Sequence, residues 1–280
     1  MDTRFLLVPY DSGQRGVRMG AGPEHLCESG LQKHLVEQGH TVESKTIEAG
    51  ALNWRAEVQT SFELMRLVAG QVREARTAGR FPLVLSGNCL SAVGVIAGLG
   101  EETGAIWIDA HGDFNSPQTT TSGFLDGMTL ATATGRCWME LANSIEGFAP
   151  VPEKAVVLLG ARDLDPGEGA ALARSQIVCL GADASLEAIE AVLHTVGGMM
   201  QSFYVHFDLD SLDPSVGRAN GYSARGGYTR EKLQELLTAI VRILPVRALT
   251  IASYDPSYDE SGNVCATAFQ AATTVLAGAK

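Results

Sequence analysis

Short apolar runs alternate with segments of helical periodicity along most of the chain. Residues 5–10, 81–85 and 155–160 are apolar runs rich in β-favouring residues, a pattern typical of strands buried on both faces of a sheet. Residues 57–78 carry apolar side chains at helical spacing, and Gly79 ends that helix. Because strands and helices alternate throughout, the sequence predicts a doubly wound, mostly parallel sheet with right-handed crossovers.

The remaining predicted strands and helices alternate in the same way. The other predicted strands are 41–47, 104–108, 177–180, 202–210 and 246–252. The other predicted helices are 23–39, 90–99, 128–141, 185–196, 232–244 and 265–279. Ser185 is the predicted N-cap of its helix. Since the sequence contains no repeat, low-complexity linker or break in composition, we predict a single domain spanning residues 1–280.

Charge and cysteine content narrow the class of protein. The net charge is −11, which disfavours a general nucleic-acid or acidic-membrane surface. Five irregularly spaced cysteines are typical of a reduced, cytoplasmic protein and not of a disulfide framework. No apolar run is long enough to span a bilayer, and no leader pattern precedes the first strand. We therefore expect a cytoplasmic protein that binds neither nucleic acid nor membrane.

Two predicted strands end in metal-ligating residue types. The residues concerned are Asp109, His111, Asp113, Asp208, Asp210 and Asp213. Alternate residues of an extended chain point to one side, and parallel sheets place ligands at the carboxyl ends of their strands. Buried carboxylates repel one another unless a cation lies between them. A divalent metal site is therefore favoured over separate, hydrated loop acids.

The spacing of these residues resembles that of a known family. The D-A-H-x-D-x-N segment at 109–115 and the D-x-D-x-x-D-P segment at 208–214 resemble the two signature motifs of the arginase/agmatinase (ureohydrolase) family. The resemblance extends from Gly16 to Pro256. It implies a three-layer α/β/α sandwich with a mostly parallel eight-stranded sheet. It also implies two Mn²⁺ ions per chain, hydrolysis of a small guanidino substrate, and a homo-oligomer, either a trimer or a hexamer.

The resemblance also implies a metal-ligand set. Asp109 and Asp208 would bridge both ions, His111 and Asp210 would bind one of them, and Asp113 would bind the other.

One metal ligand of the family is altered. The family's Gly-Gly-Asp-His segment is Ser-Gly-Asn-Cys at 86–89, so Cys89 stands at the place of a ligating histidine. We favour a thiolate ligand, which suits softer metals, over a plain buried cysteine.

The residues that would handle the guanidine group differ as well. Asp126 stands where arginases carry a proton-shuttling histidine, and Ser253 stands where they carry a glutamate beside the guanidinium. His206 replaces a small residue. It is interpreted either as a base behind the metal ligands or as the hydrogen-bonding partner of a carboxylate. Asp126 and His206 are the candidate catalytic residues, and Ser253 is a candidate substrate contact.

The residues that would hold an α-amino acid are similar to those of arginases. By resemblance, Asn115 and Ser122 would contact the α-carboxylate and Asp165 the α-amino group. The alternative is ordinary turn chemistry, which favours the same residue types.

Together these features favour a substrate less basic than arginine, whose side chain stays protonated near neutral pH. The hypothesis is an amidinohydrolase that converts Nω-hydroxy-L-arginine to hydroxyurea and L-ornithine. A cysteine at the metal-ligand histidine's place is a feature that we associate with that branch of the family. The alternatives are an atypical arginase or other ureohydrolase, and a metal-poor binding protein with the same fold.

Overall fold

A computed structural model describes residues 1–50 and 56–279 of the chain. Its centre is an eight-stranded sheet in which all neighbouring strands are parallel. The strands are β1 (Asp2–Val8), β2 (Thr41–Thr46), β3 (Phe81–Ser86), β4 (Thr103–Ile108), β5 (Val156–Leu159), β6 (Val178–Leu180), β7 (Ser202–Asp208) and β8 (Val246–Ala252). They lie in the order β2-β1-β3-β8-β7-β4-β5-β6. A separate two-stranded hairpin joins Tyr10–Asp11 to Gln14–Arg15.

Helices cover both faces of this sheet. They are α1 (Gly22–Glu28), α2 (Leu31–Glu37), α3 (Glu57–Thr77), α4 (Ser91–Leu99), α5 (Thr129–Ala133), α6 (Met139–Ala142), α7 (Pro166–Leu172), α8 (Leu186–Gly197), α9 (Arg230–Ile243) and α10 (Asn263–Gly278). Short 3₁₀ turns cover Arg18–Ala21, Asp126–Met128, Glu153–Ala155, Leu209–Ser211 and Pro256–Tyr258. None of the helices in the described ranges is long and apolar enough to cross a bilayer.

Alternate residues of each central strand enter two separate hydrophobic cores. In β1, Phe5 and Leu7 pack in the core that includes α8, α9 and α10, whereas Leu6 and Val8 pack in the core that includes α3, α4 and α5. Both sets of side chains are buried, which explains why the strands are continuous apolar runs. The prediction of a three-layer sandwich with a mostly parallel eight-stranded sheet is confirmed.

Two predicted helices are interrupted. The segment 23–39 forms α1 and α2, because Gly30 adopts φ +99° between them, a conformation that breaks a right-handed helix. The segment 128–141 contains α5 and α6, separated at Gly135 and Trp138, which also have positive φ. Both segments are helical only in part, because the sequence prediction missed the left-handed residues within them. Ser185 accepts a hydrogen bond from the Ala188 backbone N–H, which confirms its N-cap role.

The predicted strand 202–210 is also shorter in the structure. It ends at Asp208, and the chain continues into the 3₁₀ turn Leu209–Ser211.

Helices α3 and α4 approach closely at a glycine. A Cβ atom on Gly94 would lie 2.4 Å from the carbonyl oxygen of Met65, so Gly94→Ala would force the two helices apart. We expect this substitution to destabilise the protein by about 1–3 kcal/mol, as overpacked cores do. The free energy of unfolding in urea measures the effect.

Gly70→Ala on α3 is the matched control, because a Cβ atom there meets nothing within 4 Å. It should stabilise the helix by about 0.5–1 kcal/mol. Equal stability of the two variants would show that the close approach at Gly94 is unimportant.

Candidate metal centre and active site

The site lies at the carboxyl edge of four adjacent strands, β3, β8, β7 and β4. Cys89 follows β3, Asp109 follows β4, Asp208 ends β7 and Ser253 follows β8. Parallel neighbours end at the same edge of a sheet, so four segments distant in the sequence meet there. A cavity of about 290 Å³ opens above them.

Two groups of potential ligand atoms lie below this cavity. Atoms of Cys89, Asp109, Asp113 and His206 all lie within 4.8 Å of one another. The same holds for atoms of Asp109, His111 and Asp210. Since Asp109 belongs to both groups, the arrangement suits two neighbouring cations that share a carboxylate. Asp208 adjoins the first group, since its Oδ2 lies 3.1 Å from Cys89 Sγ.

Tight turns, rather than extended strands, present these ligands. Asp109 Oδ1 accepts a hydrogen bond from the His111 backbone N–H at 2.8 Å, and Asp208 Oδ1 accepts one from Asp210 N–H at 2.8 Å. Each strand has ended by this point, and Asp113 adopts φ +50°. The prediction that alternating residues of an extended chain share one side was therefore wrong in its mechanism, although the side chains do converge.

Asp213 lies outside the cluster, contrary to its grouping with the other acids. Its carboxylate accepts backbone hydrogen bonds from Ser215, Gly226 and Gly227 at 2.9, 2.8 and 3.3 Å. The hydrogen bonds from Ser215, together with those from the two glycines, lower the pKa of Asp213 to about 2. The third acid of the second motif therefore orders a turn.

The cluster has an excess of buried negative charge. Burial, followed by the charges of neighbouring carboxylates, raises the pKa of Asp113 and of Asp208. Burial opposes the charged form of His111, but Asp210 and Asp109 outweigh it and raise its pKa. Burial likewise opposes ionisation of Asp210, but His111 lowers the pKa of that carboxyl to about 2. One imidazolium thus compensates only part of the charge.

Several buried polar atoms at this place have no partner among the described residues. They are Asp113 Oδ2, Asp210 Oδ1 and His206 Nε2. Buried polar atoms are normally satisfied, and oxygen and nitrogen donors around excess negative charge suit divalent cations. The residues therefore fit a metal centre of the kind expected from the sequence.

Cys89 is positioned to take part in this centre. Its Sγ donates to Asp208 Oδ2 and lies 3.4 Å from Ser253 Oγ. Burial, and then the charges of Asp126 and Asp113, raise the pKa of the Cys89 thiol well above its usual value. The residue is thus a neutral thiol unless a bound cation ionises it.

His206 belongs to the first group of ligand atoms but does not line the cavity, and its side chain is fully buried. Its Nδ1 lies 2.9 Å from Tyr204 Oη, and its ring stacks on Trp107 with centroids 3.9 Å apart. Burial lowers the pKa of His206 to about 3, so the imidazole is neutral. In the described part of the chain, no hydrogen bond joins its Nε2 to a carboxylate.

Asp126 lines the cavity and is held on both oxygens. Its Oδ1 accepts from the Leu90 backbone N–H at 3.0 Å, and its Oδ2 accepts from the Asn88 side chain at 2.9 Å. Burial raises the pKa of Asp126, and these two hydrogen bonds oppose that rise. Asn88 was not singled out in the sequence, although it lies in the altered 86–89 segment.

The three candidate head-group residues also line the cavity. Asn115 Nδ2 donates to Asp165 Oδ2 at 3.1 Å, and Thr121 Oγ1 donates to Asp165 Oδ1 at 2.9 Å. Asp165 also caps helix α7 through a capping box with Glu168. Ser122 Oγ accepts a hydrogen bond from the Phe124 N–H at 3.1 Å.

An aromatic rim and a second amide at the site were also not predicted from the sequence. Tyr222 and Phe124 stack at 5.7 Å, and the Tyr222 ring stands edge-on to His111 at 6.5 Å. Asn220 donates to Asp210 Oδ2 at 3.2 Å and to the Ser253 carbonyl oxygen at 2.8 Å. Both Asn220 and Tyr222 lie in the irregular loop after the second motif, where only closeness to that motif in the sequence could have indicated them.

Comparisons with known proteins agree with this geometry. The model of the arginase family matches residues 1–278. Arginase of Bacillus subtilis (strain 168) is 30% identical over 96% of this chain and 95% of its own length. Human arginase-1 is 29% identical over 89% of this chain and 84% of its own length.

Solved structures give the same result. The B. subtilis arginase structure superposes with a TM-score of 0.89 at 26% identity, and the match covers 99% of this chain and 98% of that one. The agmatine ureohydrolase of Thermoplasma volcanium, at 17% identity and a TM-score of 0.74 over 99% of this chain and 89% of its own, shares the fold. The chain therefore belongs to the arginase family of metal-dependent ureohydrolases.

Proposed function

We propose that this ureohydrolase cleaves the guanidino C–N bond of Nω-hydroxy-L-arginine, giving hydroxyurea and L-ornithine. The observation that carries the proposal is the contrast between the two ends of the cavity. Asn115, Ser122 and Asp165 provide polar groups suited to an α-amino acid at one end. At the other end, near the metal cluster, Cys89 and Ser253 replace the histidine and glutamate expected from the family motifs.

The proposed centre holds two divalent ions, with Mn²⁺ as the metal expected from the family. Cys89 and Asp113 would bind the first ion, His111 and Asp210 the second, and Asp109 and Asp208 both. Paired divalent ions lower the pKa of a water that they share and polarise the substrate.

The residues expected near the guanidine group of the substrate favour a weakly basic substrate. Ser253 is buried and its hydroxyl lies 3.4 Å from Cys89 Sγ, so this position offers a neutral group where a carboxylate would pair with a cation. Arginine would have to enter as a guanidinium. A hydroxyguanidine is much less basic because its oxygen withdraws electron density, and it therefore needs no such partner.

Asp126 is the proposed acid–base group at this end. It lines the cavity, and after burial its charge is the one that raises the pKa of the Cys89 thiol most. The hydrogen bonds from Leu90 and Asn88 fix its orientation. Its carboxyl group would hold or release the proton that the departing ornithine nitrogen requires.

At the other end, the Asp165 carboxylate would pair with the substrate ammonium. The Asn115 amide and Ser122 hydroxyl would donate to the α-carboxylate. Asn115 already donates a hydrogen bond to Asp165 at 3.1 Å. One small hydrogen-bond network would therefore bind both the α-carboxylate and the α-ammonium group of the substrate.

An atypical arginase is the second candidate, because the relatives at about 30% identity are named arginase. The two candidates differ in which product leaves the enzyme.

The direct assay compares the two substrates on manganese-loaded protein. We expect hydroxyurea release from Nω-hydroxy-L-arginine with a kcat/KM at least tenfold above that for urea release from L-arginine, a difference of about 1.4 kcal/mol in transition-state binding. Faster urea release from arginine would overturn the proposal in favour of an arginase.

Restoring a carboxylate at position 253 tests the charge argument. Ser253→Glu should raise the ratio of kcat/KM for arginine to that for hydroxyarginine, because it supplies a partner for the guanidinium. Ser253→Gln, which has the same size without the charge, should leave the ratio low. The argument fails if both variants shift the ratio equally.

Substitutions at two aspartates distinguish a metal ligand from a residue that stabilises the fold. Asp113→Asn should reduce the metal content from about two ions per chain to about one. It should not lower the melting temperature of the metal-free protein, because Asp113 is a buried carboxyl group whose Oδ2 has no hydrogen-bond partner among the described residues.

Asp213→Asn should behave in the opposite way. It weakens a carboxylate that receives three backbone hydrogen bonds, so the melting temperature should fall while the metal content stays at about two ions. Metal analysis of both dialysed variants tests this pattern, and loss of metal from Asp213→Asn alone would contradict it.

A further inference from the structure

One four-residue group in the cluster differs from the ligand set that the family motifs imply. Cys89, Asp109, Asp113 and His206 offer sulfur, oxygen and nitrogen atoms within 4.8 Å of one another, and all four side chains are buried. Three of them, Cys89, Asp109 and Asp113, stand at metal-ligand positions of the family motifs. The fourth, His206, comes from β7, on the strand that ends in Asp208.

The surroundings of His206 hold its ring in one orientation. Trp107 stacks against the ring, and the Trp107 indole N–H donates to Asp109 Oδ2 at 3.2 Å. Tyr204 Oη lies 2.9 Å from Nδ1. When Nδ1 carries the proton and donates a hydrogen bond to this hydroxyl, Nε2 presents a lone pair to the cluster. Ligating histidines are typically fixed in this way by a hydrogen bond on the other ring nitrogen.

Two atoms on the inner side of the group are unsatisfied. His206 Nε2 and Asp113 Oδ2 are both buried without a partner among the described residues. A hydrogen bond between a ring N–H and this carboxylate would satisfy both atoms, but the structure has none. A cation between them would satisfy both atoms at once.

We propose that His206 Nε2 is a direct ligand of the first metal ion, together with Cys89, Asp109 and Asp113. His206 on β7 would then supply the imidazole that the chain lacks at position 89. The donors at the first ion then include one thiolate and one imidazole beside the carboxylates of Asp109, Asp113 and Asp208. The sulfur and nitrogen donors suit Zn²⁺ or Co²⁺ better than Mn²⁺. This inference rests on the proposed metal centre but not on the choice of substrate.

Cobalt binding to the intact protein provides the test. Wild-type protein should bind about two Co²⁺ ions and show a thiolate-to-cobalt charge-transfer absorption from Cys89. His206→Phe keeps a ring to stack on Trp107 but has no ligand atom. It should bind about one ion, lose most of that absorption, and lose the first site's preference for Zn²⁺ over Mn²⁺ in competition.

Two controls separate a ligand from a supporting residue. Tyr204→Phe removes the hydroxyl beside His206 Nδ1 but no proposed ligand atom, so both ions should remain, with affinity at the first site reduced by roughly 10- to 100-fold at most. His34→Gln alters a distant histidine that contacts Thr273 and should change nothing. If His206→Phe keeps two ions, the cobalt–thiolate absorption and the metal preference of the wild type, the inference is overturned.

X-ray absorption on wild-type protein keeps the inference testable even if His206→Phe does not fold. Two imidazoles per pair of cobalt ions, from His111 and His206, are expected, and a single imidazole would overturn the inference. Wild-type protein that hydrolyses its substrate with only one imidazole ligand would leave the proposed function intact. Wild-type protein that binds no metal would overturn both.

Discussion

The burial of four aspartates at one edge of the sheet is the constraint on which the rest of the site depends. Asp109, Asp113, Asp208 and Asp210 are each at most 5% exposed, and His111 supplies the only nearby imidazolium in the described part of the chain. Such a cluster is unfavourable in a protein interior unless cations or protons neutralise it. The fold can hold it because two apolar cores fix the strands that carry these residues from both sides.

The residues around the buried aspartates bear on the choice of substrate. By resemblance, the sequence differs from the arginase pattern at Cys89, Asp126 and Ser253 but keeps the expected head-group residues. In the proposed centre, a thiolate ligand would add negative charge and weaken the metal as a Lewis acid, and the neutral Ser253 would leave a guanidinium without a partner. Both changes would favour a less basic substrate. Under the proposed ligation, His206 would replace the nitrogen ligand that is lost at position 89.

Much of this arrangement could be predicted from the sequence. The buried strands were recognisable as apolar runs, and the spacing of 109–115 and 208–214 indicated that acidic side chains and His111 would converge. The sequence did not indicate that turns at Asp109 and Asp208 aim these ligands, because turn geometry depends on backbone hydrogen bonds and on the positive φ of Asp113. It placed Asp213 with the other acids, although that carboxylate caps a turn. The breaks at Gly30 and Trp138 were missed because hydrophobic periodicity continues through them.

The contacts made by loops and across strands were the least predictable. Asn220 and Tyr222 reach the site through a segment without regular periodicity. The position of His206 Nε2 depends on the stacking with Trp107 across two neighbouring strands.

Anomalous diffraction from crystals of the metal-loaded protein is the most direct test of the central claim. We predict two anomalous peaks, both adjacent to Asp109 and Asp208, with Cys89 beside one and His111 beside the other. Crystals grown with excess metal that show no peak among these carboxylates would contradict the account.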